Sequence, residues 1–134
     1  NILNKEQQQL NLKTFNNFKI KIKKSSEDLV AKLSEFKKQN KTVIGYGSPA
    51  RVSTITNFSN ITSELIKYII DDSPIKQNKY SPGSHIKILP RKKNLNNKID
   101  IVIVFAYEYF LEIKKKFKKL NVKFYKPIPL KILK

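Results

Sequence analysis

Apolar residues along positions 5–39 recur at helical spacing. Phe15, Phe18, Ile22, Leu29, Leu33 and Phe36 fall three, four or seven residues apart and make one stripe. Ser25-Ser26-Glu27-Asp28 interrupts that stripe in the form of a capping box, which predicts a break or kink near Ser26. Lys19, Lys21, Lys23 and Lys24 read as a solvated face, and Asn40-Lys41 closes the segment. Beyond it the pattern shifts to short apolar runs. Val43-Ile44, Ile66–Asp71 and Ile86–Leu89 predict short strands, the second rich in β-branched and aromatic residues. Ile99–Ala106 is almost wholly apolar, as expected of a central parallel strand buried on both faces. Val52, Ile55 and Phe58 mark the inner face of a helix ending near Asn60. Phe110, Ile113, Phe117 and Leu120 do the same for a helix over Tyr107–Leu120, with Lys114, Lys115, Lys116, Lys118 and Lys119 mostly outward. Val122–Tyr125 predicts a last strand that Pro127 and Pro129 make an edge or stop.

This order predicts an α/β fold, a Rossmann-like three-layer domain with a mainly parallel sheet of about five strands. Residues 1–40 form an N-terminal helical segment that packs on the sheet, and residues 41–134 form the domain proper.

The first strand leads into the chemistry. Gly45 and Gly47 make a turn, Ser48 suits an N-cap, and Pro49 suits the first helical position. Such a strand–glycine–helix start directs bare N–H groups at one spot, with Arg51 in the first turn, and predicts an anion site. Gly45-x-Gly47-x-x-Ala50 also fits the relaxed dinucleotide fingerprint, and Asp71-Asp72 after the second strand stands where such a unit holds a ribose hydroxyl. Asp-Asp-Ser-Pro is ordinary turn chemistry as well. The loop that follows brings Lys76, Gln77, Lys79 and Tyr80 to the carboxyl end of a strand, where open α/β sheets bind ligands.

Composition narrows the setting. The 134 residues suffice for one domain, and 40% hydrophobic with 28% charged residues is globular. The absence of cysteine excludes thiolate metal sites and permits a cytoplasmic location. A lone His85 cannot build a histidine-rich metal site, and no apolar run nears the ~20 residues of a membrane span. With no initiator Met and no signal-type apolar region, NILNKEQQQL reads as the start of a piece of something longer. The net charge of +18 suggests nucleic acid or an acidic surface, but the lysines are spread along the whole chain amid many Asn and Ile. That spread looks like compositional drift, and no basic recognition helix or RNA-binding aromatic motif accompanies it.

Three stretches together resemble the C-terminal domain of S-adenosylmethionine-dependent sugar C-methyltransferases, which act on nucleotide-linked deoxysugars. They are Gly45-Tyr46-Gly47-Ser48-Pro49-Ala50-Arg51 with Asn57 beyond it, the run Asp71–Ile86 (DDSPIKQNKYSPGSHI), and Phe105-Ala106-Tyr107-Glu108. The second is the specific one. The resemblance covers about residues 15–134. Arg51 stands where the family has Lys, Val52 and Ser53 where it has Gly and Asn, and Glu108 where it has Asn. A carboxylate at 108 would repel a diphosphate, so either it points away or the ligand differs.

The resemblance implies that the substrate is a nucleotide-diphosphate sugar. It also implies that residues 1–40 link to an upstream methyltransferase domain holding S-adenosylmethionine, itself preceded by a zinc segment. This stretch alone is then expected to bind neither cofactor and to carry no catalytic residue. Its substrate-binding candidates are Tyr46, Gly47, Ser48, Arg51, Asn57, Asp71, Asp72, Lys76, Gln77, Tyr80 and His85. Arg51 and Lys76 would meet the diphosphate, Asp71 or Asp72 the hydroxyls, and Tyr46 and Tyr80 a base or sugar face. Structural roles compete for Tyr46 and His85, and Lys76 is the strongest candidate. The alternatives are an NAD(P)-binding fragment of an oxidoreductase, which lacks an evident Tyr-x-x-x-Lys or Cys/His pair, and a basic interaction or nucleic-acid-binding module.

Overall fold

The computed structural model describes residues 2–49 and 51–134. Ala50, the third position of the glycine fingerprint, lies outside the described residues, as does Asn1.

Helix α1 spans Ile2–Lys38 without interruption. The expected break near Ser26 is absent, because Ser26 faces inward and its hydroxyl shares a 2.6 Å hydrogen bond with Ser59 across the interface with the next helix. A buried serine with a partner does not compete for the helix backbone, so the capping-box pattern stays silent. The helix ends as its sequence predicts. Asn40 takes a left-handed φ of 59° while the Lys41 and Asn40 N–H groups bond to the carbonyls of Phe36 and Lys37, a Schellman ending.

The sheet has six strands rather than five: β1 Val43–Tyr46, β2 Ile69–Ile70, β3 Ile88–Leu89, β4 Ile101–Val104, β5 Lys123–Lys126 and β6 Lys131–Leu133. Their order is β3-β2-β1-β4-β5-β6, parallel except for β6, which pairs antiparallel with β5. Pro127 and Pro129 therefore do not end the sheet. They sit in the turn of a β5–β6 hairpin, which places their missing donors outside the ladder.

Strand alternation separates two cores. Val43, Ile69, Ile101, Ile103 and Phe105 face Leu29, Leu33 and Phe36 of α1 and Val52 of helix α2, which spans Arg51–Phe58. Ile44, Tyr46, Ile70, Val102 and Val104 face Ile113 of helix α3 (Phe110–Lys116) and Phe117 just beyond it. The architecture is thus a three-layer α/β domain. Gly45 falls on the first face with no room for a side chain: a Cβ there would lie 2.8 Å from the Phe105 ring.

Several inward positions differ from expectation. Phe15 and Phe18 are exposed, as is every residue from 4 to 21. Phe58 is exposed too, and Thr56 is buried in α2 instead, its hydroxyl satisfied by the Val52 carbonyl and by Ser84. Phe15, Phe18 and Ile22 instead line an apolar groove of about 730 Å³ with Ile55, Phe58 and Ile128. The helix expected over Tyr107–Leu120 is divided into a 3₁₀ turn, Tyr107–Tyr109, and α3.

Candidate functional site

The strand order reverses direction at β1, between β2 on one side and β4 on the other. In open α/β sheets this switch point opens a crevice at the carboxyl ends of the strands. A trough of about 370 Å³ lies there. Tyr46, Gly47, Ser48 and Pro49 form one wall, Asp71, Asp72 and Lys76 a second, and Ala106, Tyr109, Glu112, Ile113 and Lys116 a third. Six of the sequence candidates therefore meet: Tyr46, Gly47, Ser48, Asp71, Asp72 and Lys76.

Gly47 is required by the turn. Its φ is +84°, and a Cβ would lie 2.5 Å from that of Ala106. The N–H groups that the turn might offer an anion already have partners. Gly47 N–H bonds to Ile70 O at 2.7 Å, and Ser48 N–H bonds to the Asp71 carboxylate at 2.7 Å. Asp71 also accepts from Ser73 N–H at 2.8 Å, while Gln77 donates to its carbonyl at 2.9 Å. Asp71 thus lashes the β1 and β2 turns together, and Gln77 braces the loop after β2 from within. Lys76 completes the tie by donating to Ser48 O at 2.7 Å, with its ammonium at the trough wall.

Asp72 anchors the opposite end. One carboxylate oxygen accepts from Tyr46 Oη at 2.7 Å and from Lys116 Nζ at 2.5 Å, and the other lies 3.6 Å from Arg91 Nε. Burial opposes its charge, but the bonds from Lys116 and Tyr46 and the two nearby cations outweigh it and hold the carboxyl below its ordinary value. Burial, then Asp72, pushes the Tyr46 hydroxyl well above its own, so it stays a donor.

Arg51 and Lys76 take different surroundings. Arg51 forms an ion pair with Glu108 and lies over the Tyr107 ring, 4.7 Å from its centroid, at the edge of the apolar groove. Lys126 covers the same ring at 4.5 Å. The Glu108 carboxyl is held below its ordinary value by its own backbone N–H, then by Arg51 and Lys126.

The remaining candidates, Asn57, Tyr80 and His85, lie outside the trough lining. Asn57 Nδ2 donates to Pro82 O at 3.1 Å, and its side chain fills the space where a Cβ on Gly83, at φ +81°, would fall. Below it Thr56 Oγ1 bonds to Ser84 Oγ at 3.1 Å. Tyr80 is exposed and bridges to Lys87, and His85 is exposed in a left-handed conformation, φ 54°. The run Asp71–Ile86 therefore splits: its first half builds the trough and its second half clamps α2.

Sequence reasoning passed over Lys116, Tyr109 and Glu112. Lys116 lay in a lysine run read as outward. Its place three residues after inward Ile113 and beside Phe117 was the available signal, since residues three apart share a helix face. Among the described residues, no group of three His, Asp or Glu side chains is arranged to hold a metal ion, and no helix is long and apolar enough to cross a membrane.

The profile of the family described as C-methyltransferase C-terminal domain matches residues 1–129. The chain is also 32% identical over 92 residues to C-methyltransferase NovU of Streptomyces niveus. That alignment spans 66% of this chain and 22% of the relative. A glycine turn at the switch point, the Asp71–Ile86 tie and a match over nearly the whole length lead to one assignment: this chain belongs to the C-methyltransferase C-terminal domain family.

Proposed function

We propose that this domain binds the nucleotide-diphosphate sugar of a sugar C-methyltransferase, in the trough at the carboxyl ends of β1, β2 and β4. What supports the reading most is the convergence of Tyr46, Gly47, Ser48, Asp72 and Lys76 on one crevice at the switch point, in a member of this family. Lys76 and Lys116 supply positive charge, and the exposed ring of Tyr109 supplies a face for a sugar or base, whereas the Tyr46 ring is buried against Phe117 and offers only its hydroxyl edge. With Gly47 and Ser48 N–H already bonded, the diphosphate is held by side-chain cations more than by the turn. The methyl donor and the zinc belong to the methyl-transferring part of the polypeptide. The relative is several times longer than its aligned stretch, which leaves room for such a part outside it.

Calorimetry with UDP-glucose, against NAD, tests the reading. A charge-assisted phosphate contact is worth about 1.5–3 kcal/mol, so Lys76→Ala should weaken UDP-glucose by roughly tenfold or more. Binding of NAD in preference to UDP-glucose would favour a dinucleotide fragment instead. No binding of UDP-glucose by the parent protein would defeat the proposal.

A further inference from the structure

Three carboxylates line the trough: Asp71, Asp72 and Glu112. Two of them are engaged by the protein itself. Both oxygens of Asp71 accept backbone N–H groups, one from Ser48 and one from Ser73. One oxygen of Asp72 takes the Tyr46 hydroxyl and the Lys116 ammonium, and the other faces Arg91. Glu112 is exposed and enters none of the ion pairs or side-chain hydrogen bonds of the described residues. The cation one turn further along α3, Lys116, is its natural helical partner, yet that ammonium is on Asp72 instead. Tyr109, Glu112, Ile113 and Lys116 recur at helical spacing and all line the trough, so the exposed Tyr109 ring and Glu112 share one wall. An ionised carboxylate only accepts, through two oxygens side by side. It therefore suits two neighbouring O–H donors and repels a phosphate.

We infer that Glu112 is a specificity-determining residue: its carboxylate accepts a pair of neighbouring hydroxyls on the sugar of the ligand, beside the Tyr109 ring. This rests on the nucleotide-sugar reading and deepens it. The hydroxyl acceptor of the trough is then neither Asp71 nor Asp72, whose oxygens are already bonded. Repulsion from Glu112 turns the diphosphate toward Lys76 on another wall and leaves the hydroxyls to α3. A nucleotide-sugar with a ribonucleoside offers such a hydroxyl pair on the hexose and on the ribose, and the chemistry of the two is the same.

The test is calorimetry with UDP-glucose, UDP, 2′-deoxy-UDP and inorganic pyrophosphate, on the parent protein, Glu112→Gln and Glu112→Ala. Loss of a carboxylate from a chain of net charge +18 raises its pull on every anion, so a weakened anionic ligand runs against the change in charge. Glu112→Ala should weaken UDP-glucose roughly tenfold, and Glu112→Gln, which keeps one accepting oxygen, should weaken it less. Pyrophosphate and 2′-deoxy-UDP, neither of which has a neighbouring hydroxyl pair, should bind both variants at least as tightly as the parent. Melting temperatures should match, since Glu112 holds no partner among the described residues. UDP that keeps its parent affinity would assign the pair to the hexose, and UDP that weakens as UDP-glucose does would assign it to the ribose. UDP-glucose bound by Glu112→Ala as tightly as by the parent would overturn the inference and leave the nucleotide-sugar reading standing. A loss shared by 2′-deoxy-UDP or pyrophosphate would overturn it too, because no hydroxyl pair is then involved. A parent protein that does not bind UDP-glucose would defeat the reading and the inference together.

Discussion

Asp72 gathers three donors, Tyr46, Lys116 and Arg91, from three different segments of the chain. Its carboxyl is held below the ordinary value in the folded state, so its contribution to stability is present above the unfolded value of about 3.9 and lost as pH falls through the lowered one. Asp72 is 42% exposed, and solvent screening limits that contribution to about 1 kcal/mol. Thermal melts of Asp72→Asn and the parent should therefore differ at pH 7, begin to approach each other near about pH 4, and converge only below the lowered carboxyl value. A gap that persists in acid would mean the carboxylate charge is irrelevant. Gly83 offers a second test. Ala there meets both a left-handed φ and the Asn57 side chain, and should cost about 1–3 kcal/mol in denaturant unfolding. A variant as stable as the parent would show that the α2 clamp yields freely.

At the scale of elements, α1 is two helices in energetic terms. Its second half buries Leu29, Leu33 and Phe36 against the sheet, whereas residues 4–21 bury none of their side chains. Leu33→Ala should cost about 2–5 kcal/mol, as a buried leucine does. Phe15→Ala should stay within about 0.5 kcal/mol, as for an exposed position. Removal of residues 1–12 should leave the melting temperature nearly unchanged. A large loss from Phe15→Ala would show that the apolar groove closes on itself in solution. The stripe in the sequence is real at both ends of α1, but periodicity reports which residues share a face, not whether anything covers that face.

For the whole molecule, the sheet order places the Gly47 turn, the Asp71–Gln77 loop and α3 around one crevice, although 70 residues separate Tyr46 from Lys116. The match covers 22% of the relative, and the proposed function assigns the methyl donor to a part of the polypeptide outside this domain. Calorimetry with S-adenosylmethionine should accordingly detect no binding to this domain. A dissociation constant near the micromolar range, about −8 kcal/mol, would place the donor site here and undo the division of labour.

Local sequence determined the parts whose physics is local. The apolar run Ile99–Ala106 contains the doubly buried β4, Asn40 ends α1 in a left-handed turn, and Gly47 makes the bend that a Cβ would block. The resemblance read most specifically from the run Asp71–Ile86 agrees with the family match over residues 1–129. Tertiary structure decided what depends on distant partners. Ser26 stays inside an unbroken helix because Ser59 is there to meet it, and Asp71 becomes a tie rather than a free hydroxyl acceptor because Ser48 N–H reaches it first. Lys116 turns inward because Asp72 draws it, while its neighbours Lys114 and Lys115 remain in water. Arg51 looked like a phosphate ligand in the sequence. Its pairing with Glu108 follows only from the sheet, which brings the end of β4 beside the start of α2.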